Sequence, residues 1–284
     1  MLLVAFYTKD LRMSVSSIRY YLSSIPTLLT QVKNWDLFFR LLFKSRPVDA
    51  PAVVELKNGL KFQVRTAMDI WVIKETCLDC QYADASTALQ DGWVIFDIGA
   101  ALGEFAIYAA KKCPNAQVFA YEPSPQSFQA LQANIKRNAC QNIQAFPQAV
   151  AAKPGFLELK ISAEAVQHTT TNIADPKPKT VTDVVRVPSI SLSQAFEQSN
   201  LRYCDYLKID CEGAEYDIFF NTPPALLRHI QHIVMEYHNG VTAYNHTDLQ
   251  KFFEQNDFQV RVTPNVVHNN IGYLYAFNRN FSRD

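Results

Sequence analysis

The stretch WVIFDIGAALGEFAIYAA, Trp93–Ala110, decides the fold. An apolar run ends in an acid, two glycines follow in close succession, and a helical pattern takes over. A strand, a tight glycine turn and a helix N-terminus make a cradle of nucleotide size. From Gly92 onward the same rhythm repeats. WVIFDI leads into EFAIYAAKK, which Pro114 ends, and QVFAYE leads into SPQSFQALQANIKRN. Ser124 is placed to cap that second helix with Pro125 in its first position, and Phe128, Leu131 and Ile135 mark one face. NIQAFPQAV is a third short strand. Apolar strands alternating with helices predict an α/β fold with a parallel sheet covered on both faces.

Further along, GFLELKIS and VVRVPSISL form an expected antiparallel pair around a polar stretch, Ala163–Asp183, of a length typical of functional lids or disordered segments. The parallel rhythm resumes with CDYLKID, a helical stretch from Ala214, HIVMEYH and DLQKFFEQN. FQVRVTP and NIGYLYAFN close the chain as an antiparallel hairpin.

The N-terminal third has a different character. Residues 1 to about 46 read as helices with a break at Pro26. Asn58-Gly59 between two alternating runs predicts a β-hairpin with a tight primed turn. Thr66 then caps a helix, with Asp69 in capping-box position. The expected division is a helical and hairpin cap over 1–91 and a catalytic domain over 92–284.

Composition narrows the function. Of 284 residues 48% are hydrophobic and 19% charged, which supports a packed core. Lys+Arg and Asp+Glu both number 27, so there is no basic surplus to attract nucleic acid. The cysteines form no disulfide framework, and Cys77 and Cys80 make a lone C-x-x-C without a second pair at zinc spacing. The opening MLLVAFYTKD is too short to span a bilayer, and the expected location is cytoplasmic. WDLFFRLLFK, Trp35–Lys44, is aromatic and amphipathic. It suits a membrane surface, or packing on the neighbouring domain or on a second copy in a homodimer; packing is the preferred reading.

Asp97 separates two ligand classes. The dinucleotide fingerprint is G-x-G-x-x-G, whereas the frame Asp97-Ile98-Gly99-Ala100-Ala101-Leu102-Gly103 carries an acid in place of the first glycine. A pyrophosphate would face that carboxylate, while a cationic ligand would be attracted. S-adenosylmethionine, with its ammonium and sulfonium and no phosphate, fits. Glu122 lies 19 residues beyond Gly103 (122 minus 103), at the end of the second strand, where an acid accepts both ribose hydroxyls. Ala100, Pro123 and Ala149 complete the expected cofactor-binding set. An NAD(P)-linked oxidoreductase is the alternative, disfavoured by Asp97 and by the lack of a third glycine in frame. A non-catalytic nucleoside-binding partner protein is the other.

Taken together, FDIGAALGEFAIYAA, AYEPSPQSFQALQANI, YLKIDCEGAEYDIF and HIVMEYH, with the lead-in RTAMDIWVIKETCLDCQY, resemble the FkbM-type family of S-adenosylmethionine-dependent methyltransferases. The resemblance implies a Rossmann-like, mostly parallel sheet of about seven strands with a C-terminal antiparallel hairpin. It also implies methyl transfer to a hydroxyl of a sugar or polyketide-like metabolite, so the acceptor is a small molecule or glycan. Where the family often has Asn, this chain has Ala101.

Methyl transfer needs an acceptor oxygen aligned with the methyl and relieved of its proton. The fourth parallel strand ends in KIDCEG and the next in MEYH, so Asp210, Glu212, Glu236 and His238 stand at the ligand-binding edge. Asp210, Glu236 and His238 are the candidate catalytic residues, as acid/base groups. A divalent metal on the same three is the alternative, and it is not favoured. Glu212 is also placed to cap the helix after Gly213, with Lys208 as a charge partner for Glu212 or Asp210. His168 in the polar stretch is left out of the catalytic set, and Tyr216 and Tyr237 are assigned to packing.

Overall fold

A computed structural model describes residues 15–43, 51–83, 87–162, 168–170 and 181–283. The chain begins with helices α1 (Val15–Gln31) and α2 (Asp36–Leu42). Pro26 does not break α1, which runs through it. The proline forfeits a hydrogen bond to the carbonyl of Leu22, and Leu22 is 57% exposed, so the cost of that orphaned acceptor is low. In α2, Leu37, Phe38 and Leu41 are buried, and the Phe38 ring lies 6.2 Å from that of Trp71. The amphipathic stretch therefore packs inward along this face; Lys44 lies outside the described residues.

Strands β1 (Ala52–Glu55) and β2 (Lys61–Val64) form the expected hairpin, with a different turn. Gly59 has φ +93° but Asn58 is not left-handed, so the primed turn, which needs both, is absent. Gly59 N donates to Leu56 O at 3.0 Å and Leu56 N to Leu60 O at 2.8 Å, giving a longer loop that ends in a glycine bulge. Asn58 Oδ1 accepts from Leu60 N at 3.1 Å, an Asx contact that holds the asparagine in ordinary backbone space. Helix α3 (Ala67–Cys77) then starts on the Thr66–Asp69 capping box, complete in both directions.

The remainder alternates as β3 (Val94–Ile98), α4 (Glu104–Lys112), β4 (Gln117–Tyr121), α5 (Pro125–Arg137) and β5 (Ile143–Phe146). Next come β6 (Ala149–Val150), β7 (Gly155–Ser162), β8 (His168–Thr170), β9 (Val181–Ile190), α6 (Leu192–Ser199) and β10 (Cys204–Ile209). Last are α7 (Glu215–Phe220), α8 (Pro224–Leu227), β11 (Ile230–His238), α9 (His246–Gln255), β12 (Phe258–Pro264) and β13 (Ile271–Asn278). The main sheet has seven strands in the order β12-β13-β11-β10-β3-β4-β5. Its pairings from β11 to β5 are parallel, and β13 joins β11 and β12 antiparallel, the expected closing hairpin.

The expected third strand divides at Pro147, which has no N–H to continue a ladder. Its first half stays in the main sheet, while β6 pairs with β9 in a second sheet of order β6-β9-β7-β8. The β7–β9 pair is antiparallel as expected. Most of the polar stretch between them lies outside the described residues, as does the His168 side chain.

Every residue of β3 is buried, as a strand covered on both faces requires. Ile95, Val118, Tyr206 and Val234 face one core with α3, α4 and the hairpin residues Phe62 and Val64. Phe96, Phe119, Leu207 and Met235 face the other, with α6, α7 and α9. The N-terminal elements thus share one continuous core with the sheet. Each large side chain so buried stabilises the fold by about 1.5–3 kcal/mol. Among the described residues, no helix is long and apolar enough to cross a membrane.

Candidate active site

Because β3, β4, β10 and β11 run parallel, their carboxyl ends meet along one edge. At the end of β3 the chain bends sharply through Gly99 (φ +75°), Ala101 (φ +45°) and Gly103 (φ +84°) into α4. The amides of Gly99 and Ala100 both donate to Tyr121 O at 3.0 Å, pinning the bend to β4. A Cβ on Gly99 would lie 1.9 Å from Asp210 O, so only glycine lets the ends of β3 and β10 approach this closely. The bend and Asp210 are thereby held against each other.

Asp97 is fully buried and does not face a ligand as a free charge. Strand register sets Lys208 opposite Asp97, and Lys208 Nζ stands 3.0 Å from Asp97 Oδ1. Asp97 Oδ2 accepts from Ala106 N at 3.1 Å in the first turn of α4. This corrects the electrostatic argument drawn from the sequence: the carboxylate at the bend is largely offset by a lysine. Lys208 makes its direct ion pair with Asp97, not with Glu212 or Asp210, and donates to Gly99 O at 2.7 Å, while the charge of Asp210 acts on it through space. Burial raises the Asp97 pKa while Lys208 opposes the rise. Burial works to lower that of Lys208, and Asp97, Asp210 and Glu104 more than reverse it.

Glu122 stands beyond the end of β4, 5% exposed, with Ala101 N donating to one oxygen at 2.9 Å and Ser124 N to the other at 2.8 Å. Burial pushes its carboxyl up to about 7, against those two amides. Ala100 is buried beneath the bend and Pro123 is half-buried beside Glu122. Ala149 opens β6, in the second sheet. Glu104, in the first turn of α4, is buried with Oε2 unpartnered, and burial raises its carboxyl to about 8, in keeping with a neutral acid.

Asp210, Glu236 and His238 come together, with donor atoms within 4.8 Å of one another. The Tyr82 hydroxyl donates to Asp210 Oδ2 at 3.0 Å and lies 3.3 Å from Glu236 Oε2. Burial, then the charge of Asp210, holds Glu236 well above the usual carboxylate range. Burial would lower the His238 pKa, but Glu215, Glu212 and Asp210 raise it well above the ordinary imidazole value. His238 Nε2 lies 3.6 Å from Glu212 and Nδ1 3.5 Å from Glu215.

Glu215, not Glu212, closes the loop ahead of α7, accepting from Cys211 N at 2.6 Å and Gly213 N at 2.9 Å. Glu212 is instead held at φ +51°, a left-handed conformation a non-glycine residue adopts at a cost. Tyr216 and Tyr237 are buried in packing roles, as expected.

Tyr82 was outside the expected set. It comes from the segment after α3, and Tyr206 donates to its carbonyl. Neighbouring Gln81 is tied to Tyr273 at 2.6 Å and to Tyr275 at 2.8 Å. The lead-in ending at Tyr82 pointed to this segment, but nothing local in the sequence links it to Asp210.

Comparison with known proteins matches residues 97–260 to the methyltransferase FkbM domain. The chain is 26% identical over 221 residues to 31-O-demethyl-FK506 methyltransferase FkbM of Streptomyces tacrolimicus, covering 67% of this chain and 83% of that protein. It is 23% identical over 230 residues to hexuronic acid methyltransferase AglP of Haloferax volcanii, covering 80% of this chain and 88% of that protein. It is 25% identical over 227 residues to AMB antimetabolite synthetase AmbE of Pseudomonas aeruginosa, 68% of this chain but only 11% of that longer protein.

Proposed function

The chain belongs to the FkbM methyltransferase family and is an S-adenosylmethionine-dependent methyltransferase, and from that premise we propose that it methylates a hydroxyl oxygen of a sugar or polyketide-like metabolite. The observation that carries the reading is the charge gathered at the carboxyl edge. Asp97, Glu104, Glu122, Asp210, Glu212, Glu215 and Glu236 cluster there, with Lys208 and His238 as the cations in direct contact with them. Lys208 offsets Asp97, Glu212 and Glu215 face His238, and burial favours the neutral forms of Glu104 and Glu236. The charge left for a ligand is that of Asp210 and of Glu122 as it ionises, and it favours a cationic ligand over a phosphorylated one.

In this reading Glu122 accepts the ribose hydroxyls, and the bend over Gly99, Ala100 and Gly103 lets the nucleoside approach the backbone, beside Pro123 and Ala149. The fit rests on the two-oxygen acceptor that Glu122 presents at the edge, oriented by Ala101 N and Ser124 N. S-adenosylmethionine, when bound, supplies an electrophilic methyl group. Asp210, Glu236 and His238 position the acceptor hydroxyl, and Asp210 takes up its proton, since the surroundings of Glu236 and His238 favour their protonated forms. Tyr82 fixes the two carboxyls relative to each other. The free cysteines suit a cytoplasmic location.

Both acceptor classes have a relative of matching name, one acting on a hexuronic acid and one on demethyl-FK506. The test is incubation with methyl-labelled S-adenosylmethionine and an acceptor panel of hexuronic acid glycosides and hydroxylated macrolides. The expected product is a labelled methyl ether, formed in step with S-adenosylhomocysteine. Label found only on nitrogen or carbon would overturn the oxygen assignment.

A further inference from the structure

We propose that Asp210, Glu236 and His238 bind a divalent cation of the hard, oxygen-preferring class, magnesium or manganese, at the acceptor end of the site. The proposal rests on the methyl-transfer reading for its chemical purpose and deepens it.

The first observation is convergence. Donor atoms of two carboxylates and one imidazole lie within 4.8 Å of one another, and neighbouring ligands on an ion of this size stand about 3–4 Å apart. Asp210 and Glu236 are half-buried, so the cluster is reachable from the ligand-binding edge.

The second observation is His238. Its side chain is 6% exposed, and Nδ1 is buried with no hydrogen-bond partner. Both ring nitrogens face carboxylates, at 3.5 and 3.6 Å, longer than a working hydrogen bond. The imidazole is thus held by charge, with Nδ1 lacking a hydrogen bond of ordinary length. As a ligand it would present Nε2, which lies 3.6 Å from Glu212, while Nδ1 faces Glu215, the carboxylate behind a metal-bound histidine. Glu215 is itself fixed by Cys211 N and Gly213 N, so the imidazole is oriented by a rigid loop.

The third observation is charge. Neither Asp210 nor Glu236 forms an ion pair with Lys or Arg among the described residues, and one Tyr82 proton cannot satisfy both. Lys208 makes its direct contacts with Asp97 and Gly99 O and acts on Asp210 only through space. A bound cation would offset this surplus and lower the cost of negative charge on an acceptor oxygen, the task given above to the three side chains alone. Mixed carboxylate and imidazole ligation with room for further oxygens suits an acceptor presenting two neighbouring oxygens.

The test uses the full chain, stripped with chelator, and manganese(II) alone as the probe. Electron paramagnetic resonance should count one bound manganese per chain, displaced by magnesium, and pulsed measurement should show nitrogen coupling from one imidazole. His238→Ala should abolish that coupling. Glu236→Gln should weaken binding by about tenfold or more, and Glu215→Gln by about 10-fold through the imidazole. Should the variants unfold, the nitrogen coupling in the unaltered protein still decides. Absence of bound manganese at millimolar concentration, or binding without nitrogen coupling, overturns the proposal. Calorimetry with S-adenosylmethionine on the same sample separates the two readings: cofactor binding without manganese sinks only the cation, and manganese without cofactor binding sinks the methyl-transfer reading.

Discussion

Replacing Gly99 by alanine tests how the site is held together. Two penalties add at this position. At φ +75° an alanine sits in the left-handed region, at a cost of about 1–2 kcal/mol. Its Cβ would also stand 1.9 Å from Asp210 O and 2.9 Å from Asp210 C, both backbone atoms. The end of β10 must therefore move off β3, and overpacking of this kind costs a further ~1–3 kcal/mol. The expected total is about 2–5 kcal/mol. Gly59→Ala supplies the control: its φ is +93°, yet nothing lies within 4 Å of the added Cβ, so only the backbone penalty remains. Urea unfolding followed by circular dichroism should show Gly99→Ala the less stable of the two. Calorimetry should show it alone losing S-adenosylmethionine binding, because its disturbance falls on Asp210. Equal destabilisation of the two variants, with cofactor binding intact in both, would refute the close approach on which the site geometry rests.

Other outcomes follow from the same edge of the sheet. Ala101→Gly should stabilise the protein by about 0.5–1 kcal/mol in urea unfolding, since relief of the left-handed alanine (φ +45°) outweighs the added freedom of the unfolded chain. Lys208→Met should cost about 3–5 kcal/mol by leaving Asp97 buried without its cation, and the double variant with Asp97→Asn should recover much of that loss. Glu122 should impose a pH dependence. Its carboxyl is raised to about 7 from 4.5, so the folded state holds a proton the unfolded chain releases, and stability falls as pH rises through that window. Thermal melts from pH 4.5 to 7.5 should show a loss that is smaller in Glu122→Gln by at most about 3 kcal/mol, the remainder coming from Glu104, whose carboxyl is raised to about 8. S-adenosylmethionine affinity should move the other way, rising as Glu122 ionises to accept the ribose hydroxyls.

Much of the architecture was legible because it rests on local signals. Strand and helix periodicity, the Thr66–Asp69 box and the Ser124-Pro125 start all act within a few residues, and the fold reproduces them. The glycine bend was legible for the same reason. What the sequence concealed depends on contacts between distant segments. The partner of Asp97 is set by β3–β10 register, which places Lys208 opposite it and withdraws the charge from the ligand side. Tyr82 lies 128 positions from Asp210, so no spacing rule reveals their hydrogen bond. Pro26 misled because its cost depends on whether water reaches the carbonyl it orphans, a question of exposure. Asn58-Gly59 misled because the Asn58 side chain bonds Leu60 N and keeps the residue out of left-handed space. Glu215, by contrast, was within reach: an acid in the first turn of α7, four residues after Cys211, is suitably placed to collect the loop amides.

Asp97 no longer carries the discrimination between ligand classes; Asp210 and the ionised form of Glu122 do. One calorimetric experiment addresses that directly, titrating S-adenosylmethionine and NAD in turn into the same protein. The account predicts saturable binding of S-adenosylmethionine at one site per chain and no heat from NAD. Saturable NAD binding, with S-adenosylmethionine silent, would contradict it.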